Sequence, residues 1–304
     1  MSVLGLMANP LSGGGRGAAT GRRVHALLRE AGHRLIDLSA PTLAQATDRA
    51  RSAATEGLDA LVVVGGDGAV HLAANVVAGT GLPLGIVPAG TGNDIARALG
   101  IPHDTARAVQ GLQTGLRHGP RLIDAATVGV PGRAAVEWFV AVLSCGLDAA
   151  MNARANSYRW PQGHARYLRA VLAELPPFRP YGYRVTVDDE HVWEHPGTLA
   201  AVANTGWFGG GLRIAPDATV EDGLLDVVLA DALTVRQTLG LFPRLYGGSH
   251  VRDPRVHVRR ARTVLLEAVP GLGVHPPVAY ADGERIGPLP LRVEVVPGAL
   301  AVLV

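Results

Sequence analysis

The residues best suited to chemistry lie at Val62–Gly68, where three valines lead directly into Gly-Gly-Asp-Gly. Glycines let backbone N–H groups approach phosphates closely, and a helix beginning near Ala69 would point its positive end at the anion. Asp67 would then lie among phosphates, which repel a bare carboxylate unless a bridging Mg²⁺ offsets the charge. The motif therefore predicts a metal–nucleotide site, although a tight turn capped by the aspartate would use the same residues.

Two more glycine loops follow predicted strands in the same part of the chain. One is Asn9–Gly15 and the other is Pro88–Asp94. Loops at the carboxyl ends of parallel strands converge on the ligand-binding edge of a doubly wound sheet. Each loop alone is a common connector, but three on neighbouring strands predict one phosphate site. None of them has the Gly-x-Gly-x-x-Gly spacing of a dinucleotide-binding loop.

The second half of the chain contributes three further groups. Asp282 and Glu284 flank one glycine, and the Asp-Gly pair by itself favours a type I′ hairpin turn. Trp207 and Phe208 adjoin a glycine triplet, where they would either join the core or contact an acyl chain. A basic stretch would form either a solvated sheet face or a surface attracted to anionic lipid. It comprises Arg252, Arg255, Arg259, Arg260 and Arg262.

The phosphate loops need a scaffold, and the first 125 residues supply a regular alternation of strand, loop and helix. Repeated βα units imply a parallel sheet with helices on both faces. We therefore predict a doubly wound α/β nucleotide-binding domain over residues 1–125. Its strands are predicted at Val3–Ala8, Arg34–Leu38, Ala60–Val64 and Leu84–Val87, and its helices at Arg22–Ala31, Leu43–Glu56 and Asp94–Leu99.

From Ala126 onward the pattern changes to closely spaced short strands separated by Gly, Pro and Asp turns. This pattern predicts an antiparallel β-sandwich over residues 126–304, interrupted by helices at His164–Glu174 and Thr234–Tyr246. A ligand is expected in the cleft between the two domains. The strands are predicted at Trp138–Leu143, Tyr183–Val187, Thr198–Ala203, Leu224–Leu229, Val256–Val258, Val264–Leu266 and Arg292–Val296.

Composition excludes several functions. All 28 Lys and Arg residues among the 304 are Arg, so no reaction can use a lysine Schiff base or a P-loop lysine. Arg16 or Arg97 would have to supply a cationic contact to phosphate. The net charge of +2 makes no case for nucleic acid as a partner. A single cysteine, Cys145, and an N-terminus unlike a signal peptide favour a cytoplasmic protein.

The three glycine loops, in this order and at these separations, resemble the diacylglycerol kinase catalytic-domain family, which includes bacterial lipid kinases and sphingosine kinases. The resemblance covers nearly the whole chain. It implies a kinase that uses ATP and Mg²⁺ to phosphorylate a lipid hydroxyl such as that of diacylglycerol. Beyond the three loops it is carried by Leu122–Asp124, Cys145–Asp148, Asn204, Gly209–Gly211, Pro216, Asp222–Asp226 and Ala281–Glu284.

The resemblance also assigns roles to individual residues. Asp282 or Glu284 would take the proton from the lipid hydroxyl, with Asp67 as a further catalytic residue. A structural Mg²⁺ would be held by Asp222 and the carbonyls of Thr219 and Leu224, and an acidic network around magnesium would comprise Asp67, Asp94 and Asp124. ATP would be contacted by Asn9, Pro10, Ser12, Gly13, Ser39 or Thr42, Gly65, Gly66, Asp67, Gly68, Thr91 and Asn93.

Two positions depart from the family pattern. The usual Thr after Gly-Gly-Asp-Gly and the Glu three residues beyond it are here Ala69 and Leu72. Two alternatives therefore stay open, namely a soluble-substrate kinase of the NAD kinase type and a catalytically weak nucleotide-binding module that regulates a partner. A lipid substrate would bring the protein to the inner face of the membrane, and a homodimer also stays open.

Overall fold

A computed structural model describes residues 1–134, 136–158 and 164–304. The chain divides into two compact units, the first comprising Met1–Ala125 with Pro297–Val304 and the second comprising Ala126–Val296. The sequence placed all of residues 126–304 in the second domain. The C-terminal segment belongs to the first unit because Val302 and Leu303 pair in parallel with Leu84 and Gly85.

The first unit is built on a parallel sheet, as the alternation of strands and helices predicts. The strand order is β2-β1-β3-β4, with the C-terminal end of β17 added beside β4. All six residues of β3 are buried, which explains its run of β-branched side chains. The strands are β1 Val3–Ala8, β2 Arg34–Asp37, β3 Ala60–Gly65, β4 Leu84–Pro88 and β17 Leu291–Leu303.

Six helices belong to the first unit, counted over its described residues. The predicted helices are confirmed within a few residues, but α6 was not predicted from the sequence. Its glycines interrupt the apolar pattern, and the fold needs one of them, since a Cβ on Gly115 would lie 2.9 Å from Leu303 Cα. The helices are α1 Ser12–Gly15, α2 Gly17–Glu30, α3 Leu43–Thr55, α4 Asp67–Val77, α5 Asp94–Ala98 and α6 Thr105–His118.

The second unit is an antiparallel β-sandwich, which confirms the predicted class. The long strand β9 has two successive partners, because residues 190–197 pair with β8 whereas residues 197 and 199–203 pair with β12. The strands are β5 Arg121–Gly129, β6 Val136–Phe139, β7 Val142–Ser144, β8 Tyr181–Val187, β9 Glu190–Ala203, β10 Trp207–Phe208, β11 Leu212–Arg213, β12 Leu225–Asp231, β13 Val256–Ala261, β14 Thr263–Ala268, β15 Ala279–Ala281 and β16 Glu284–Gly287.

Three helices accompany the sandwich in its described part, namely α7 Leu147–Ser157, α8 His164–Glu174 and α9 Val235–Gly247. The sequence predicted α8 and α9 but not α7, whose buried face at Leu147, Met151 and Ala155 contains few large apolar side chains. The core of this unit joins side chains from several of its strands, among them Phe139, Tyr183 and Leu229. No helix within the described ranges is both long and apolar enough to cross a membrane.

Candidate functional site

The three glycine loops of the first unit touch one another. A Cβ on Gly90 would lie 2.4 Å from Gly66 Cα, and a Cβ on Gly13 would lie 2.4 Å from the carbonyl oxygen of Ala89. Gly13 also has a positive φ of 59°, which glycine adopts without strain. No other residue type fits at these contacts, so the predicted convergence of the loops at the carboxyl ends of β1, β3 and β4 is present.

The first loop is held by Asn9. Its backbone N–H donates to the Val64 carbonyl at 2.9 Å, and its side-chain oxygen accepts from the N–H of Leu11 at 3.1 Å. Ser12 is buried, and its N–H donates to the Asn9 carbonyl. Asn9 therefore shapes the loop that would meet phosphate.

The third loop is shaped by Asn93, which adopts a left-handed conformation with φ of 53°. Its amide side chain both accepts from the Gly90 N–H at 2.8 Å and donates to the Gly90 carbonyl at 3.0 Å. These bonds assign Asn93 to the loop itself, whereas Thr91 is exposed at the tip and available to a ligand.

Asp67 is the first residue of α4 and lies beside Gly68 at the N-terminal end of the helix. One of its oxygens accepts from the N–H of Ile95 at 2.9 Å, which ties the second loop to the start of α5. Helix N-termini attract anions, so this end of α4 is suited to phosphate. A carboxylate here would repel phosphate unless a cation lay between them.

The other two acids predicted around magnesium have different partners. Asp94 is buried and forms an ion pair with Arg97, and Asp124 is buried and accepts from the Gly298 N–H at 2.9 Å. The described residues contain no group of three or more His, Cys, Asp or Glu that could hold a metal ion. The acidic network of Asp67, Asp94 and Asp124 is thus not assembled as expected. Because Mg²⁺ commonly binds through one or two carboxylates and substrate phosphates, Asp67 alone still fits a metal that arrives with ATP.

A cavity with a partly polar lining opens beside the first loop, where β1 and β2 end. Its lining includes Pro10 and Ser39, both predicted nucleotide contacts, together with Arg22, His25 and Asp37. The Ser39 hydroxyl accepts from the Ala8 N–H at 3.1 Å. Thr42, the alternative to Ser39, instead caps α3 by accepting from the Gln45 N–H at 3.3 Å. The geometry favours Ser39 as the hydroxyl near a nucleotide.

The predicted cationic contacts are also engaged. Arg16 donates to the Gly13 carbonyl at 2.9 Å, and Arg97 holds Asp94 and the Gly92 carbonyl. Both side chains therefore brace the phosphate loops. The principal phosphate-binding groups offered by this unit are backbone N–H groups.

In the second unit, Asp282 and Gly283 form the predicted two-residue hairpin turn between β15 and β16, with φ of 53° and 88°. The Asp282 carboxylate is buried and accepts from the N–H groups of Val140 at 2.9 Å and Ala141 at 2.7 Å. The Glu284 carboxylate is partly exposed and has no hydrogen-bond partner among the described residues. The two candidate bases thus differ sharply, since Asp282 anchors the turn whereas Glu284 can accept a proton.

An apolar pocket lies in the same unit, between α7, β9, β12 and α9. Phe208 lines it, which supports an acyl-chain contact for this residue rather than a place in the closed core. Aliphatic and aromatic side chains make up most of the wall, which includes Leu147, Met151, Leu199, Leu212, Ile214, Val228, Leu233, Leu241, Phe242, Leu245 and Val256.

Asp148 is a polar residue of the pocket lining. It belongs to the Cys145–Asp148 motif, but the sequence predicted no role for it. It accepts from the Ser144 hydroxyl at 2.6 Å, and burial raises the pKa of its carboxyl. His250 also lines the pocket, and burial lowers the pKa of its imidazole. A buried carboxyl and a neutral imidazole in an apolar pocket are suited to hydrogen bonding with the polar head of a ligand.

The pocket and the hairpin are neighbours through α7 and β7. Asn152 on α7 donates to the Gly283 carbonyl at 3.3 Å, and Ser144 on β7 pairs with Tyr280 on β15. Helix α7 therefore contributes Asp148 to the pocket and contacts the turn before Glu284. This adjacency depends on strand pairing between distant segments.

The predicted structural magnesium site around Asp222 does not fit the side chains present. One Asp222 oxygen accepts from the Leu224 N–H at 3.0 Å, and the other accepts from the Thr219 hydroxyl at 2.7 Å and from the Arg260 guanidinium. Arg260 also lies opposite Asp226, whose pKa burial raises to about 6. A guanidinium in contact with Asp222 already offsets its charge and repels a second cation. Arg260 therefore pairs with the carboxylate that the sequence assigned to the metal.

Ion pairs with carboxylates also neutralise part of the basic stretch between Arg252 and Arg262. Asp253 accepts bidentate hydrogen bonds from Arg255 and a further bond from Arg244, which together hold the pKa of its carboxyl well below the usual range. With Arg260 on Asp222, two of the five predicted membrane-facing arginines are ion-paired. Arg259 remains exposed on the edge strand β13.

Comparisons with known proteins agree along the whole chain. The diacylglycerol kinase catalytic domain matches residues 3–128, and the YegS C-terminal NAD kinase beta sandwich-like domain matches residues 141–304. A diacylglycerol kinase of Mycobacterium tuberculosis is 38% identical over 303 residues, which cover 98% of this chain and 93% of that protein.

Solved structures show the same fold. The crystal structure of a diacylglycerol kinase from Bacillus anthracis superposes with a TM-score of 0.71 at 18% identity, covering 99% of this chain and 96% of that one. An NAD kinase from Archaeoglobus fulgidus, solved in complex with ATP, gives a TM-score of 0.54 at 12% identity and covers 100% of this chain and 94% of its own. Both architectures pair an α/β domain with a β-sandwich.

Proposed function

Because the chain belongs to the diacylglycerol kinase family, we propose that it transfers the γ-phosphate of ATP to the hydroxyl of a membrane lipid of the diacylglycerol class. Its membership makes it a phosphotransferase of a lipid kinase family. The use of ATP, of Mg²⁺ and of a lipid hydroxyl as the acceptor is what we propose beyond that membership.

The apolar pocket is the observation that best supports a lipid as the phosphate acceptor. It adjoins the Asp282-Gly283 hairpin through α7. A soluble dinucleotide offers phosphates, riboses and polar bases, none of which suits walls made of leucine, valine and phenylalanine. Acyl chains suit such walls because burial of apolar surface drives their binding. Asp148 and His250 would hold the polar end of the lipid by hydrogen bonds.

On the nucleotide side, the three touching loops would bind the phosphates of ATP through backbone N–H groups. Asp67 would hold Mg²⁺, which when bound offsets charge on the transferring phosphoryl group. Ser39 and the cavity beside it would receive the remainder of the nucleotide. Lysine is absent from the chain, so the loops and the helix α4 N-terminus provide the main attraction for phosphate.

For the acceptor we propose Glu284 as the general base. Its carboxylate would take the proton of the lipid hydroxyl as that oxygen bonds to the γ-phosphorus and the bond from phosphorus to the ADP oxygen breaks. Asp282 would position Glu284, since both of its oxygens are committed to the backbone of residues 140 and 141.

Two residues beside the phosphate loops favour a lower catalytic rate than is usual in the family. Ala69 and Leu72 replace a hydroxyl and a carboxylate beside the phosphate loops, and Ala69 is buried against Gly65. We propose that this chain remains a catalyst, because it keeps Asp67 and the glycine loops in the first unit and Glu284 in the second. A module that binds ATP without turnover is the alternative outcome.

The proposal places the enzyme at the inner face of the membrane, where its substrate and cytoplasmic ATP meet. The test is incubation of the purified protein with γ-labelled ATP and Mg²⁺ in mixed micelles that contain dioleoylglycerol, a monoacylglycerol or sphingosine, with NAD⁺ as a soluble acceptor in a parallel arm. Labelled phosphatidate is expected, and the Asp67→Ala variant serves as the inactive control.

Label in NADP⁺ with none in lipid would overturn the lipid acceptor in favour of a soluble-substrate kinase. ATP binding with no labelled product in any arm would overturn catalysis and leave a nucleotide-binding module.

A further inference from the structure

Helix α9 is apolar on two opposite sides. Its inner side, with Leu241, Phe242 and Leu245, lines the apolar pocket. Its outer side presents Leu239 and Tyr246 to solvent, 53% and 61% exposed. Two large apolar side chains on one exposed helix face form a patch that is suited to an apolar covering.

The exposed side chains form one stripe. Leu239 and Tyr246 are seven residues apart, which is close to two helical turns, and the exposed Pro243 lies between them. Arg236 is exposed on the same side, one turn before Leu239. We call this set, Arg236, Leu239, Pro243 and Tyr246, the outer stripe of α9.

The charge of the helix indicates what covers this stripe. Residues 235–247 contain no Asp or Glu, and of their two arginines Arg244 is paired with Asp253 whereas Arg236 faces solvent. The start of α9 is fixed by a capping box in which the Thr234 and Gln237 side chains accept from each other's backbone N–H groups. A fixed helix with exposed apolar side chains, a free cation and no acid has the composition of helices that lie in a lipid–water interface.

We propose that the outer stripe of α9 docks the second unit on a lipid bilayer. Leu239 and Tyr246 insert at the boundary of headgroups and acyl chains, and Arg236 contacts lipid phosphate. This inference rests on the proposed lipid substrate, and it accounts for the position of the pocket, because one helix then has the bilayer on its outer side and the acyl-chain pocket on its inner side. Docking there shortens the path of a lipid from the bilayer to the pocket.

The experiment compares the wild type with the double variant Leu239→Gln, Tyr246→Gln. Binding is measured by sedimentation with vesicles of phosphatidylcholine and phosphatidylglycerol at 7:3 that contain dioleoylglycerol. Burial of each of these side chains in lipid strengthens vesicle binding by about a factor of ten or more. The variant is therefore expected to bind vesicles at least roughly tenfold more weakly than the wild type. Leu122→Gln, at a residue 60% exposed on β5, is the matched control and is expected to bind as the wild type does.

A second readout separates docking from catalysis. Phosphorylation of dioleoylglycerol in the vesicles is expected to fall with binding, whereas phosphorylation of water-dispersed dihexanoylglycerol and the affinity for Mg-ATP should match the wild type. Removal of phosphatidylglycerol or addition of salt should weaken wild-type binding, because Arg236 acts through screened charge.

Equal vesicle binding by the wild type and the double variant would overturn the proposal, as would the absence of binding by the wild type. Loss of a wild-type dimer in the variant during analytical ultracentrifugation, with vesicle binding unchanged, would assign the stripe to a second copy of the chain instead. Failure of the wild type to phosphorylate either form of diacylglycerol would count against the proposed function, while sedimentation would still decide the docking.

Discussion

The two units build their halves of the candidate chemistry in different ways. In the first unit, contiguous glycine loops present backbone N–H groups, and the close contact of Gly66 with Gly90 fixes their arrangement. In the second unit, side chains from distant segments meet, with Asp148 from α7, Phe208 from β10 and the Glu284 hairpin brought together by strand pairing. A backbone site is visible in local sequence, whereas a side-chain site depends on tertiary structure.

The aspartates of the two units illustrate the difference. One Asp67 oxygen accepts a hydrogen bond from the Ile95 N–H, and the residue lies at the start of helix α4, the end of a helix that attracts anions. Asp282 has both oxygens committed to backbone N–H groups and is buried. The same residue type therefore begins a helix beside the glycine loops in one unit and is buried against the backbone of a turn in the other.

The largest expected effect comes from Asp67→Ala in the first unit. Loss of the carboxylate proposed to hold Mg²⁺ should reduce lipid phosphorylation by about a thousandfold or more. The reason is that a bound metal lowers the free energy of the charged transition state by several kcal/mol. Calorimetric titration should show weaker binding of Mg-ATP. The melting temperature should fall only modestly, because the Ile95 N–H loses its acceptor while glycines still set the turn. Unchanged affinity for Mg-ATP would remove Asp67 from the site.

In the second unit, Glu284→Gln and Asp282→Asn should separate catalysis from stability. Removal of a general base typically costs about 10²- to 10⁴-fold in rate, so Glu284→Gln should lower single-turnover transfer by that order while Mg-ATP affinity and melting temperature stay unchanged.

Asp282→Asn should instead lower the melting temperature. An amide offers one acceptor oxygen, so an NH₂ group would face the N–H of Val140 or Ala141, and an unpaired buried donor costs about 1–3 kcal/mol. Differential scanning calorimetry measures the shift. If Asp282→Asn loses transfer at full stability and Glu284→Gln does not, the base is Asp282.

A smaller effect is expected from loss of the ion pair between Arg260 and Asp222, the carboxylate predicted to hold a metal. The wild-type melting temperature should be the same in magnesium and in chelator, whereas Arg260→Gln should melt about 2–4 °C lower, as expected for about 1 kcal/mol from a partly exposed pair in a unit of this size. The variant should also gain stability from Mg²⁺, because Asp222 is then uncompensated. Arg259→Gln is the matched control, and a wild-type protein destabilised by chelator would restore the metal to Asp222.

The smallest effect concerns pH and Asp253. Hydrogen bonds from Arg255 and Arg244 lower the pKa of this carboxyl in the folded state, so the pairs add stability above the unfolded pKa of about 4 and lose it as pH falls. Asp253→Asn should therefore melt below the wild type at pH 7, and the gap should narrow as pH decreases below about 4. Asp217→Asn, at an exposed position, should show no such gap.

Much of the site in the first unit was predictable from sequence. Asp67, Ser12 and the three loops lie where the motifs place them, because strand ends in a parallel sheet share one edge. Helix α6 was missed since glycines break its pattern, and the role of Asn93 in bracing its own loop was not visible. The partners that Asp94 and Asp124 have within the fold, Arg97 and the Gly298 N–H, were not visible in the sequence either.

The sequence by itself determined the fold class, the phosphate loops and the hairpin at Asp282-Gly283, since each depends on contiguous residues whose backbone preferences are local. Tertiary structure decided the rest. It placed Asp148 beside an apolar pocket, put Arg260 on Asp222, committed Asp282 to the backbone and left Glu284 available, and turned one side of α9 to solvent. These outcomes depend on which distant strands pair, because only pairing brings charges and apolar surfaces within the few ångströms over which they act.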